Sequence, residues 1–154
     1  MTSELTLISQ AKRALMEAKT FPEVTKVRDL ARAAETYAKA AHLGREAENE
    51  ATEVRLNAEC KAGEMISKMD KARGNRYTIE KVEGELVSPS TLANLGITKK
   101  ESSLWQRLAA VPEREFRAGI EEGKDRGERL SRATIFQQQA RRTMKEKIAK
   151  IGRA

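Results

Sequence analysis

The sequence predicts an all-α protein, and three features of its 154 residues carry that prediction. Ala, Leu, Glu, Lys and Arg together account for 84 residues, which is the composition of long helices or coiled coils. Aromatic residues make up only 4% of the chain, too few to fill the thick core of a barrel or a doubly wound sheet. Apolar residues recur at steps of three and four along much of the chain, as they do on one face of a helix. A deep-pocketed enzyme is therefore not expected.

The chain has one cysteine, Cys60, and one histidine, His42. A single cysteine forms no intrachain disulfide and no cysteine zinc cluster, and a single histidine removes most other transition-metal sites. No orienting group lies at a useful spacing from this pair, so we interpret Cys60 as a small buried thiol and His42 as a surface or hinge imidazole. We expect no catalytic residue, no metal and no cofactor.

No segment of the sequence predicts export or membrane insertion. Residues 1–8 lack a basic region followed by a sustained apolar stretch. Eighteen consecutive apolar residues, about the length of a transmembrane helix, occur nowhere in the chain. We therefore expect a cytoplasmic protein without a membrane partner.

The net charge of +7 comes from the last third of the chain. Residues 1–98 carry 15 basic and 15 acidic side chains, whereas residues 99–154 carry 15 basic and 8 acidic side chains. An alanine-rich N-terminal part with no net charge, followed by a basic C-terminal part, is typical of an assembly segment followed by a polyanion-binding segment. The alternative is a basic surface that only aids solubility.

The first predicted element is a short amphipathic helix over residues 4–19. Its apolar positions are Leu5, Ile8, Ala11, Leu15 and Ala18. Thr20 and Glu23 then flank Phe21 and Pro22, and a capping Thr, an early proline and an early acid are the usual chemistry of a helix start. We expect a tight helical hairpin in which Phe21 packs back on the first helix.

Two apolar seams with heptad spacing follow Pro22, and no further proline occurs up to Met69. The first seam consists of Val24, Val27, Ala31, Ala34, Ala38 and Ala41. The second resumes out of phase and consists of Ala47, Ala51, Val54, Ala58, Ala62, Met65 and Met69. Gly44 lies between the seams and marks a break, a kink or a change of register.

A continuous helix over residues 22–69 would span roughly 72 Å at about 1.5 Å per residue. A short hairpin alone is too small to bury a helix of that length. We therefore expect a long coiled-coil-like helix that forms a homodimer or higher homo-oligomer, with an intramolecular bundle as the alternative.

Acidic residues are dense just after Gly44. They are Glu46, Glu48, Glu50 and Glu53. Paired carboxylates are one interpretation, but we expect a solvated helix face whose charge is offset by Arg45 and Arg55.

The helical periodicity stops between Asp70 and Pro89. Arg73 and Arg76 flank Gly74 in a basic stretch that is a candidate arm for tracking a phosphate backbone or entering a minor groove. A short strand and a solvated connector are the alternatives.

Residues 88–108 form the most specific stretch in the chain. It opens like a helix, with Pro89 in the first turn. Gly96 then supplies a left-handed turn residue, Ile97 an apolar plug and Thr98 the N-cap of a second helix. Two short helices joined by a tight glycine turn predict a DNA-reading helix-turn-helix. An ordinary helical hairpin is the alternative.

These residues resemble a known family. The run from Leu95 to Thr98, followed by Ser-Ser-Leu-Trp-Gln-Arg-Leu-Ala-Ala-Val-Pro-Glu and then Phe116, Ile120 and Gly123, resembles the helix-turn-helix region of ParB-type partition proteins. The order of Ala/Glu-rich helices, basic linker and helix-turn-helix resembles small DNA-binding proteins of phages and integrated elements. The resemblance implies DNA binding as a regulator, or as a replication or maintenance factor. A nucleotide-binding motif like that of full-length ParB is not recognisable upstream.

Carried over by position, the resemblance implies a groove-facing side and an inward side for the second helix. The groove-facing residues are Thr98, Lys99, Lys100, Ser103 and Arg107, and the inward ones are Ser102, Trp105, Leu108 and Ala109. Leu104 fits either a thymine methyl or the core, and we favour the core. The candidate DNA-binding residues are Thr98, Lys99, Lys100, Ser102, Ser103, Gln106 and Arg107, with Arg73 and Arg76 in the linker and Arg141 and Arg142 near the C-terminus.

A further helix is expected from Pro112, and a final basic helix over residues 130–151. Apolar residues in the final helix are too sparse for it to be buried. Contact with the DNA backbone, contact with a partner and a frayed basic tail all fit this segment.

The sequence thus predicts a helical assembly region over residues 1–72, a basic linker over 73–87 and a helix-turn-helix region over 88–154. We expect a sequence-specific protein that binds double-stranded DNA at the nucleoid, as a dimeric transcriptional regulator on paired half-sites. The alternatives are a partition or replication accessory factor and a structural adaptor whose basic end binds RNA or a protein, such as a host partner.

Overall fold

The computed structural model describes residues 2–72, 81–82, 85–86 and 96–152, with side chains for 6–68 and 96–152. The described residues form six α-helices, and the predicted all-α fold is confirmed. The helices are α1 (Thr2–Glu17), α2 (Phe21–Ala40), α3 (Arg45–Ala72), α4 (Lys99–Ala109), α5 (Glu113–Asp125) and α6 (Arg132–Ile151). Two two-residue strands, β1 (Lys81–Val82) and β2 (Glu85–Leu86), pair antiparallel between α3 and α4, with Lys81 opposite Leu86.

The chain reverses between α2 and α3, so of the three possibilities at Gly44 the structure shows a break, and residues 22–69 do not form one long coiled-coil-like helix. Gly44 has φ +99° and His42 has φ +54°, both in the left-handed region. The N–H of Leu43 donates to the carbonyl of Ala38 and that of His42 to Lys39, which is the Schellman pattern that ends a helix. The pair of left-handed residues converts one long helix into the antiparallel hairpin α2–α3.

The two apolar seams pack against each other within one chain. Val24, Ala31 and Val54 are at most 2% exposed, and they belong to one hydrophobic cluster with side chains of α1, α2 and α3. A homodimer through these seams would require the hairpin to open. The intramolecular bundle, our alternative, therefore describes this part of the chain, because its contacts form without the entropy cost of bringing two molecules together.

Helix α3 lies at the centre of the fold and contributes to two hydrophobic clusters. Val54 and Ile66 pack in the first cluster together with Trp105 of α4, and Leu56 packs in the second, which covers α5 and the start of α6. The predicted boundary after residue 72 therefore does not separate two cores. Residues 97–136 share their apolar packing with the front of the chain.

The end of α1 is held by a side chain from α3. The Nζ of Lys61 donates to the carbonyl oxygens of Leu15 and Ala18. These carbonyls belong to the last turn of α1 and the residue after it, where a cation also complements the helix dipole. None of the helices in the described part of the chain is both long and apolar enough to span a bilayer.

Candidate nucleic-acid interface

Helix α4 begins as the sequence predicts. Gly96 has φ +73°, and Ile97 is 6% exposed as an apolar plug. The Thr98 Oγ1 accepts from the Glu101 N–H at 3.1 Å, and the Thr98 N–H donates to the Glu101 carboxylate at 2.9 Å. The Thr98 backbone N–H, and further the Arg28 guanidinium, hold the pKa of Glu101 below its usual value despite some burial. This capping box fixes the first turn of α4.

One face of α4 is buried against the rest of the protein. Trp105 and Leu108 are fully buried, as expected from the resemblance, and Leu104 is half-buried against the first cluster. The Trp105 ring lies 6.5 Å from that of Phe21 and 4.9 Å from the Arg28 guanidinium carbon. Trp105 is therefore the anchor of α4, and its ring is not available for stacking on a base.

The opposite face of α4 presents positive charge to solvent. Lys99, Lys100, Ser103 and Arg107 are exposed. None of the three cations forms an ion pair with any residue whose side chain the structure describes. Three unpaired cations and a hydroxyl on an eleven-residue helix are the side-chain types that contact phosphates and base edges.

Three predicted contacts on α4 need correction or a different role. Ser102 is only 4% exposed and accepts a hydrogen bond from the Gln106 amide at 2.9 Å, so its inclusion among the DNA-binding residues is wrong. The same hydrogen bond occupies the side-chain amide of Gln106, which is half-buried, so this N–H donor is not free to contact DNA. Thr98 is exposed, but its hydroxyl serves the capping box. The face available for contact is thus narrower than predicted.

A stacked arginine connects α4 to α6. The Arg107 guanidinium carbon lies 4.3 Å from the centre of the Phe136 ring. Such stacking holds a guanidinium in one plane while leaving its N–H donors free. Beyond Gln138, the described side chains of α6 are exposed or half-buried. The predicted contacts Arg141 and Arg142 lie on this protruding half, whereas Arg73 and Arg76 lie outside the described residues.

The protruding half of α6 also exposes apolar side chains. Met144 is 62% exposed, Ile148 64% and Ile151 75%. They follow one another at steps of four and three, so they share one face of the helix. Lys145, Lys147 and Lys150 are exposed beside them. The second half of α6 is therefore an amphipathic and basic surface.

A network of buried charges lies behind α4, and sequence reasoning missed it. Glu59 is 1% exposed and accepts from Arg132 at 2.7 Å and from Arg55 at 3.0 Å. Arg55 also donates to Glu35, 2.9 Å away. Burial alone lowers the pKa of Arg55, but the charges of Glu59 and Glu35 outweigh it and raise that pKa. Arg55, which we expected to offset a solvated acidic face, is half-buried and pairs with Glu35 and Glu59 instead.

The two reactive residue types in the chain occupy unremarkable positions. Cys60 is half-buried, and its burial, aided by Glu64 and Glu113, raises the pKa of its thiol to about 11. A thiol with that pKa is a poor nucleophile at neutral pH. His42 is exposed at the turn between α2 and α3, as we expected of a hinge imidazole. Residues of the described part form no His, Cys, Asp and Glu cluster suited to a metal ion.

Comparisons with family models, with curated proteins and with solved structures found no match to this chain.

Proposed function

We propose that this protein binds double-stranded DNA through the outward face of α4 and acts as a sequence-specific regulator. The proposal rests on one observation, which is that α4 has a buried apolar face and an exposed cationic face. Its inner face is anchored by Trp105, and its outer face presents Lys99, Lys100 and Arg107, which form no ion pair with any described side chain. A rigid helix with one cationic face is what major-groove recognition requires.

The dimensions of α4 agree with this role. An α-helix with its side chains is about 10–12 Å across, which fits the major groove of about 12 Å, and the eleven residues of α4 extend for about 16 Å at roughly 1.5 Å per residue. The N-terminal turn of a recognition helix meets the base edges, and Lys100 and Ser103 lie in that part of α4. We assign base contacts to these two residues. Lys99 and Arg107 are assigned to phosphates.

Helix α6 extends the proposed DNA-binding surface. Arg107 stacks on Phe136, so the cationic face of α4 continues onto α6. Arg141 and Arg142 follow one to two turns later along α6. We assign to them contacts with the phosphate backbone, which position the protein without reading sequence. A dimer on paired half-sites would need an interface other than the α2–α3 seams, which are buried in the monomer.

A second candidate function rests on the exposed apolar face of α6. Met144, Ile148 and Ile151 would remain in water if α6 contacted only phosphates. Apolar side chains flanked by lysines suit an acidic amphipathic partner helix. In that function the protein is an adaptor, and its basic end binds another protein.

Selection of duplexes from a random library, followed by titration at several salt concentrations, tests the first function. We expect one enriched sequence and an affinity that falls steeply with salt, with a log–log slope of about 0.9 per neutralised phosphate. Arg107→Ala should weaken binding, whereas Lys12→Ala, which removes an exposed lysine of α1, should not. Lack of enrichment together with salt-insensitive binding would contradict the proposal and favour the adaptor.

A further inference from the structure

A polar cavity of about 390 Å³ lies among α2, α3, the first turn of α4 and the start of α6. Five cationic and three acidic side chains line it, so its lining carries two excess positive charges. The volume is within the usual range of small-molecule sites. The proposed DNA-binding face does not use any of these side chains.

The three carboxylates of the cavity are already neutralised by neighbouring cations. Glu35 accepts from Lys39 at 2.7 Å as well as from Arg55. Glu59 accepts from both Arg55 and Arg132. Arg28 completes the set by donating to Glu101 at 3.3 Å. Glu35 and Glu59 therefore offset most of the charge of Lys39, Arg55 and Arg132. Arg28 is paired both with Glu101 and, at 2.8 Å, with Asp29 outside the lining, so the uncompensated cation on the α2 side is Arg32.

One buried donor without an acceptor and one arginine without an ion pair lie on the α2 side of the cavity. The Nε of Arg28 is buried and has no hydrogen-bond acceptor among the described residues. Arg32, one helical turn further along α2, forms no ion pair with a described residue. Residues four apart share a helix face, so the two guanidinium groups are neighbours at the cavity. Paired guanidinium groups bind the oxygens of phosphate in a forked geometry.

We propose that this cavity binds a small phosphorylated molecule, with its phosphate on Arg28 and Arg32. The hydroxyl of Thr36, further along the wall, donates to the Arg32 carbonyl and can still accept a hydrogen bond from a hydroxyl of a sugar or polyol. An open aromatic face for a nucleobase is missing from the described lining, and the nearby Trp105 is fully buried. The ligand class is therefore a sugar or polyol phosphate rather than a nucleotide.

The cavity is connected to the first turn of α4, and this second step rests on the proposed DNA binding. Glu101 caps α4 through Thr98 and accepts from Arg28 at the cavity wall. A bound phosphate competes with Glu101 for Arg28. The released carboxylate and the phosphate both add negative charge beside Lys99 and Lys100. Occupation of the cavity therefore weakens DNA binding.

The single tryptophan provides a direct assay, because the Arg28 guanidinium lies over the Trp105 ring. Trp105 fluorescence is followed while the full-length protein is titrated with inorganic phosphate and with glucose 6-phosphate, at constant ionic strength set by chloride. We expect a saturable change, with glucose 6-phosphate binding more tightly than phosphate. Arg32→Gln should weaken both about tenfold or more, since it removes a charge-assisted donor pair. The control Arg114→Gln, which removes an exposed arginine of α5, should leave binding unchanged.

A change that does not saturate, or that persists in Arg32→Gln, overturns the cavity proposal. Circular dichroism of Arg32→Gln checks its fold, and Arg32 is exposed, so we expect the helical signal to be retained. The coupling is measured separately as duplex affinity with and without saturating glucose 6-phosphate. We expect a loss of about fivefold or more in the wild type and none in Arg32→Gln. An unchanged affinity overturns the coupling alone. Failure to bind any duplex without sugar phosphate overturns the proposed function, while the fluorescence result still decides the cavity.

Discussion

Gly63 of α3 lies directly against the main chain of Trp105 in α4. A Cβ atom built at position 63 would collide with the carbonyl carbon and oxygen of Trp105. The two helices can approach this closely only because residue 63 has no side chain. This contact joins the front of the chain to the helix that we propose reads DNA.

The first prediction concerns this contact. Gly63→Ala should force α4 away from α3, and we expect a loss of about 1–3 kcal/mol in the free energy of unfolding, as for other overpacked sites. Urea unfolding followed by circular dichroism measures the loss. Gly152→Ala is the matched control, because a Cβ there meets nothing closer than 3.6 Å. Equal stability of Gly63→Ala and the wild type would show that α3 and α4 are not in close contact.

The second prediction concerns the turn that separates α2 from α3. His42 adopts φ +54° at the position of the Schellman motif where glycine is usual. His42→Gly should therefore raise the free energy of unfolding by about 1 kcal/mol, since it removes left-handed strain. His42→Ala keeps the strain and should bring no such gain. If both variants were equally stable, the chain would not reverse in the way described.

The third prediction concerns the pH dependence of stability. Burial by itself raises the pKa of Glu35, but hydrogen bonds from Lys39 and Arg55 and the charge of Arg55 outweigh it, so the pKa lies below 4.5. A lowered carboxyl pKa stabilises the native state above pH 4.5, and this contribution is lost as the pH falls through the lowered value. Glu35→Gln should therefore be less stable near neutral pH and should lose less stability below about pH 4.5. Urea unfolding over a pH series measures both effects, and parallel pH profiles for the two proteins would contradict them.

The fourth prediction separates base contacts from phosphate contacts on α4. Lys100→Ala should relax sequence preference, with about 1–3 kcal/mol of discrimination lost at one base position. Lys99→Ala should instead weaken binding to all duplexes about equally and lower the salt slope by about one. Binding profiles over a set of single-base operator variants distinguish the two outcomes. Matching profiles would mean that the roles of Lys99 and Lys100 are assigned incorrectly.

Local features of the fold could be predicted because they depend on residues close together in the chain. The capping boxes at Thr20 and Thr98 involve a side chain and a backbone N–H three residues apart. Gly96 is left-handed as expected, since glycine adopts positive φ without a steric cost. The inner face of α4, with Trp105 and Leu108, was implied by the resemblance to ParB-type helix-turn-helix regions, and both side chains are buried.

Only the tertiary structure decided what each apolar face packs against. Helical periodicity identifies a seam at Val27 and Val54, but a seam within a chain and one between chains have the same pattern. The left-handed conformation of His42, which the sequence does not reveal, contributes to the chain reversal that turns the predicted dimer seams into an intramolecular core.

The candidate sites divide in the same way. Lys99, Lys100 and Arg107 could be named from sequence, because the resemblance implied that they face outward, and the structure exposes all three. Glu59 was not found, since its partner Arg132 is more than seventy residues away along the chain. The role of Arg55 was not found either, since its partner Glu35 lies on another helix. Buried charges are stable only where they are paired, and the sequence records the charges but not which of them meet across helices. The sequence alone thus determined where the helices start and which face of α4 is cationic. The packing of α2, α3, α4 and α6 decided that a charged cavity lies behind α4.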